Sequence, residues 1–97
     1  MTSQPKAIDV VKRTGRRPNE AFDRDKLLHS IRAACLSVRS PEGEADTTAN
    51  NVTHAVIIWC NSKPAVTTQD IRRLASRHLE RYHPEAAYIY QHHRIII

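Results

Sequence analysis

Between Pro64 and Pro84 the sequence carries a run that only a helix packed on other helices satisfies. Ile71, Leu74, Ala75, His78, Leu79 and Tyr82 recur at intervals of three and four, so they fall on one stripe of an α-helix. Thr67, three residues before Asp70, is a capping candidate at its start, and Pro64 bars helix before it. A stripe of this kind needs a complementary apolar surface, and three other segments supply one. Leu27, Leu28, Ile31, Ala34, Cys35 and Val38 repeat at helical spacing behind Asp23, a good N-cap, which predicts a helix from about Arg24 to Val38. After the break at Ser40-Pro41-Glu42-Gly43, Ala45, Ala49, Val52, Val56, Trp59 and Cys60 share a face. That helix is intrinsically weak because of Asn50, Asn51 and several threonines, so packing must hold it. Pro84 is placed to open a fourth helix through Ala86, Ala87, Ile89, Tyr90 and His93. Trp59 and Tyr82 are both expected in the helical core.

The N-terminal part follows a different rule. Residues Met1 to Lys6 show no periodicity and read as a flexible tail, leaving residues 7–97 as a single domain. Ala7 to Arg13 is a short β-branched run, Thr14 to Asn19 contains the Gly and Pro of a turn, and Glu20-Ala21-Phe22 reads as the returning strand. The fold class is therefore α+β but mainly α: an N-terminal β-hairpin packed on a four-helix bundle, with a third strand an open alternative at Val66-Thr67 or in a tail. With 97 residues the chain can bury one core and has no room for an enzyme core with a regulatory appendage. Its longest apolar run, Ala55 to Cys60, is far too short to span a bilayer, and a cytoplasmic protein without membrane contact is expected.

A net charge of +5 implies an anionic partner, and the position of the cations narrows the choice. Lys12, Arg13, Arg16 and Arg17 fall on the hairpin and Lys26 in the first turn of the first helix. Free N–H groups and the positive dipole end favour an anion there, and the added ammonium and guanidinium groups suit a polyphosphate. A solvated basic hairpin would have the same composition. The arginines at 72, 73, 77 and 81 keep open the alternative of a small basic nucleic-acid-binding domain, although an exposed helix face explains them as well. Six histidines lack ligand spacing, so no metal site is expected. Cys35 and Cys60 read as small buried hydrophobes. No phosphate loop, catalytic triad or carboxylate pair can be assembled, and no enzyme activity is expected.

The order of these residues is more specific than their charge. Val-Val-Lys-Arg-x-Gly-Arg-Arg from Val10, a turn, then Glu-x-Phe-Asp-x-x-Lys-Leu from Glu20 resembles the signature of the ATP-cone family. These domains are found as allosteric modules of ribonucleotide reductases and in the zinc-ribbon repressor of reductase genes. The later Ala-Ala-Tyr-Ile-Tyr from Ala86 is similar to the family's last helix. The resemblance implies Val10 and Glu20 beside the nucleoside, Lys12 and Lys26 on phosphates, Arg13 and Asp23 completing the pocket, and a threonine, Thr67 or Thr68, at the start of the third helix. It implies ATP or dATP as a bound effector, with Mg2+ compatible with the nucleotide. It also implies a homo-oligomer, a ribonucleotide reductase or other protein regulated in trans, and no direct nucleic-acid contact. The chain departs from the family in the extra Pro18-Asn19 of the turn and at the end, where Arg94 stands for a closing cation.

Overall fold

The computed structural model describes the backbone of residues 9–11 and 20–92 and the side chains from Phe22 to His92. The tail at 1–6, the turn with Arg16 and Arg17, and Arg94 lie outside the described residues. Four helices dominate: α1 (Arg24–Ser37), α2 (Glu42–Asn61), α3 (Thr68–Tyr82) and α4 (Pro84–His92). Three short strands accompany them: β1 (Asp9–Val11), β2 (Glu20–Ala21) and β3 (Val66–Thr67), in the order β2-β1-β3. β2 runs antiparallel to β1 and β3 parallel to it.

α1 packs on α2 and α4, and α3 packs on α4 and α2, so each helix has two neighbours around a common interior. The periodic residues fill that interior. Leu27, Ile31, Ala34 and Cys35 meet Ala45, Ala49, Val52, Val56 and Cys60, with Ile71, Ala75, Leu79, Ala86, Ala87 and Tyr90 from the other pair. The many alanines let backbones approach closely, and the largest fully buried side chain is Tyr90. Cys35 and Cys60 are free and fully buried, and burial pushes both thiols up, which makes them poor nucleophiles.

The helix ends are set by local chemistry. Asp23 Oδ1 accepts the N–H groups of Asp25 (3.0 Å) and Lys26 (3.2 Å), which starts α1. α1 closes when Arg39 turns to a φ of 65°, so that the Arg39 N–H reaches the Leu36 carbonyl and the Ser40 N–H reaches that of Cys35. This closure usually employs glycine, because a Cβ is strained at positive φ. Arg39→Gly is therefore expected to raise unfolding free energy by about 1 kcal/mol, less what the unfolded chain gains in freedom. A lowered urea midpoint would contradict it.

Tyr82 departs from its expected place in the core. It is 53% exposed, because it is the last residue of α3 and the chain turns away at His83 to start α4. His83 closes α3 through its own N–H to the Leu79 carbonyl, and its Nδ1 accepts the Ala86 N–H of α4 at 3.4 Å. Ser76, which no apolar pattern includes, is buried instead. Trp59 is only half-buried, with the Lys63 ammonium 5.1 Å from its ring centre.

Candidate functional site

The sheet brings together residues that lie far apart in sequence. Val10 stands across from Glu20 on one side and from Val66 on the other, and Val11 stands across from Thr67. Adjacent strands run about 5 Å apart, so the backbones of Val10, Glu20 and Thr67 share one small surface. Each outer strand then feeds a helix. β3 passes directly into α3 at Thr68, while only Phe22 and Asp23 separate β2 from α1. Because β2 and β3 flank β1 in opposite directions, α1 departs near the Asp9 end of β1 and α3 near its Val11 end. Lys12 and Arg13 lie outside the described residues, and the side chains of Val10 and Glu20 are not described.

Lys26 is exposed in the first turn of α1. The backbone around it is not a vacant anion cradle, however. Two of the donors expected to meet a phosphate, the N–H groups of Asp25 and Lys26, are already bonded to the Asp23 carboxylate. Asp25 adds a second negative charge to the same turn. The expectation of free N–H groups there is corrected for these two donors, which the Asp23 cap already occupies.

The start of α3 is closed in the same way. Thr67 Oγ1 accepts the Asp70 N–H at 3.0 Å, and Asp70 Oδ2 accepts the Thr67 N–H at 3.1 Å. This reciprocal cap fixes Thr67 as the N-cap and Thr68 as the first helical residue. The Thr67 N–H holds the Asp70 carboxyl below its ordinary range, assisted by the Thr67 hydroxyl and the charge of Arg73 and opposed by burial. His78 is pushed down, first by burial and then by Arg81 and Arg77.

Both shifts weaken the fold in acid, in different windows. A histidine whose folded value is depressed stabilises fully above the unfolded value of about 6.5 and loses that contribution as pH falls below it. A depressed aspartate stabilises fully above about 3.9 and loses its contribution as pH falls through the folded value. The urea midpoint is expected to decline first below pH 6.5 and again below pH 4. Asp70→Asn should abolish the second decline; a second decline of unchanged size in that variant would sink the assignment.

Sequence reading missed a buried polar connection behind these two helix starts. Tyr90 OH and Ser30 Oγ are 3.2 Å apart, and Ser30 Oγ donates to the Leu27 carbonyl at 2.7 Å. On the other side, Arg72 donates to the Tyr90 carbonyl at 3.5 Å and its guanidinium lies 5.8 Å from the ring centre. Ser30 is one turn beyond Lys26, and Arg72 one turn beyond Thr68, so Tyr90 links the second turns of α1 and α3.

Among the described residues no cluster of His, Cys, Asp or Glu could hold a metal ion, and no helix is long and apolar enough to cross a membrane. Compared with known proteins, the chain matches the ATP cone domain over residues 8–94. It is 35% identical over 82 residues to a transcriptional repressor, NrdR, of Microcystis aeruginosa (strain NIES-843 / IAM M-2473). That match covers 84% of this chain but 45% of the repressor, so the chain corresponds to less than half the length of this relative. No solved structure matches it. A family match that runs from β1 beyond α4 establishes that the chain belongs to the ATP-cone family.

Proposed function

We propose that the chain binds an adenine nucleotide, ATP or dATP, where the sheet meets the starts of α1 and α3, and that it acts as a regulatory module without catalysis of its own. The observation that carries this reading is the strand register, in which Val10 is paired with Glu20 while Thr67 stands beside Val11, within a chain that matches the ATP-cone family almost throughout. β1 and β2 form the arms of a hairpin laid across the end of a four-helix bundle. Val10 and Glu20 meet the nucleoside, Lys12 and Lys26 neutralise phosphates, and Arg13 and Asp23 complete the wall. Asp23 acts on the site by fixing the first turn of α1, since one of its oxygens is spent on the cap.

Thr68 is the better phosphate contact of the two threonines, because the Thr67 hydroxyl oxygen already accepts a bond from Asp70. Its hydroxyl is not engaged in the cap. Mg2+ would accompany the triphosphate and share its charge. The output is a population shift: the nucleotide stabilises whichever self-associated or partner-bound arrangement it binds better. A ribonucleotide reductase or another protein regulated in trans is the fitting partner.

A nucleic-acid reading has one observation in its favour, the name of the repressor relative, whose remaining length this chain does not cover. Calorimetric titration separates the two. Adenine-selective binding of ATP and dATP over GTP, lost in Lys12→Ala and in Lys26→Ala, supports the nucleotide module. Oligonucleotide uptake without mononucleotide uptake overturns it.

A further inference from the structure

α3 and α4 line an open cleft of about 440 Å³ that the nucleotide reading does not use. Its α3 wall is a single stripe, Gln69, Arg72, Arg73, Ser76 and Arg77, at the three- and four-residue spacing of one helix flank. Gln91 of α4 faces it, and Glu80 stands at the far end. Among the described lining residues, three guanidiniums, two carboxamides and a hydroxyl offer many donors against one carboxylate. The cleft is therefore complementary to a ligand rich in acceptors and negative charge.

Two features separate this stripe from an ordinary solvated face. Ser76 is only 7% exposed, and its Oγ has no hydrogen-bond partner among the described residues. A buried hydroxyl is seldom left so, and a helical serine commonly satisfies itself on a preceding carbonyl. The second feature is Arg72, whose guanidinium is anchored on the Tyr90 carbonyl and ring. It is held at the cleft wall rather than trailing in solvent, which lowers the entropy lost when a ligand is bound.

The dimensions select among anions. Arg72 to Arg77 covers about 8 Å of helix axis, the reach of a short phosphate chain rather than of a polynucleotide. Glu80 closes the stripe with a charge that repels a continuing phosphate backbone but can accept from a sugar hydroxyl. The volume lies within the range of about 300–1,000 Å³ common for small-molecule sites.

We propose that the α3–α4 cleft is a second anion site that takes a small phosphorylated molecule, with its phosphates on Arg72, Arg73 and Arg77, the Ser76 hydroxyl as an inner donor, and Glu80 at the unphosphorylated end. The exposed Arg73 and Arg77 side chains are long enough to swing aside and admit phosphate oxygens to Ser76. The site stands whether or not the sheet end binds ATP.

Amide-resolved NMR titration of the whole chain tests it, with inorganic tripolyphosphate, ribose 5-phosphate and an eight-residue oligothymidylate as probes. Tripolyphosphate should shift the amides of Ser76, Arg77 and Gln91 with saturation at one equivalent in that cleft. Tighter binding of ribose 5-phosphate than of tripolyphosphate would identify a sugar phosphate as the ligand, and the reverse order a free phosphate chain. Arg73→Gln/Arg77→Gln should weaken the cleft at least tenfold, and Ser76→Ala severalfold, with unchanged thermal midpoint in the arginine variant. Lys26→Ala should leave the cleft intact, so failure of the sheet-end site and failure of this one are distinguishable. Shifts confined to residues near Lys26 and Thr68, undiminished binding in the double arginine variant, or tighter binding of the oligonucleotide spread along residues 72–81 would each overturn the proposal.

Discussion

Tyr90→Ala is expected to lower the unfolding free energy by about 3–5 kcal/mol, a large share of the roughly 5–15 kcal/mol that holds a typical domain. Tyr90 is the largest side chain with no exposure, and it sits where α1, α3 and α4 meet. Truncation opens a cavity where α1, α3 and α4 meet. It also removes the Ser30 partner and the ring beneath Arg72. Tyr90→Phe keeps the volume and loses only the hydroxyl contact, so its cost should be near 1 kcal/mol. Ser30 retains its bond to the Leu27 carbonyl in either variant, which limits the polar part of the loss. Urea unfolding of the two variants separates packing from hydrogen bonding. Equal costs would show that the hydroxyl dominates, and a cost under 1 kcal/mol for alanine would show that the site collapses.

The features legible in the sequence are those governed by local rules. The Thr67-Asp70 cap, the Asp23 cap and the first-turn Pro84 each depend on residues a few positions apart, and each is found where those residues predict it. The buried stripes of α1 and α2 follow helical periodicity, and α2 forms despite its asparagines because Ala45, Ala49, Val52 and Val56 are all enclosed. What escaped depends on distant partners. A two-residue strand has no alternation to read, so the parallel pairing of Val66 and Thr67 with β1 could only be left open. Arg39 adopts a conformation that glycine ordinarily signals. Tyr82 leaves its expected place in the core because the direction taken after His83 decides what covers the end of α3. In the candidate site, residue types and order were readable, whereas the use of Asp23 to satisfy the donors beneath Lys26 was a matter of geometry.

That use of Asp23 shapes the second large effect. With two N–H groups of α1 satisfied internally, an ATP triphosphate at the sheet end must draw its binding from side-chain cations. Each charge-assisted contact is worth about 1.5–3 kcal/mol. Lys12→Ala/Lys26→Ala is therefore expected to weaken ATP binding by roughly a hundredfold or more, since each 1.4 kcal/mol is a factor of ten. The fold should not suffer, because Lys26 is exposed and the cap bond uses its backbone N–H, which alanine keeps. Two further readings distinguish lost phosphate contacts from a damaged pocket. AMP, which offers one phosphate, should lose less affinity than ATP. The salt dependence of ATP binding should flatten in the variant, because the screened charges are gone. Calorimetry at two ionic strengths checks both. If ATP and AMP lose affinity in equal proportion, the two lysines support the pocket as a whole rather than the triphosphate, and the phosphate end must be held by other cations.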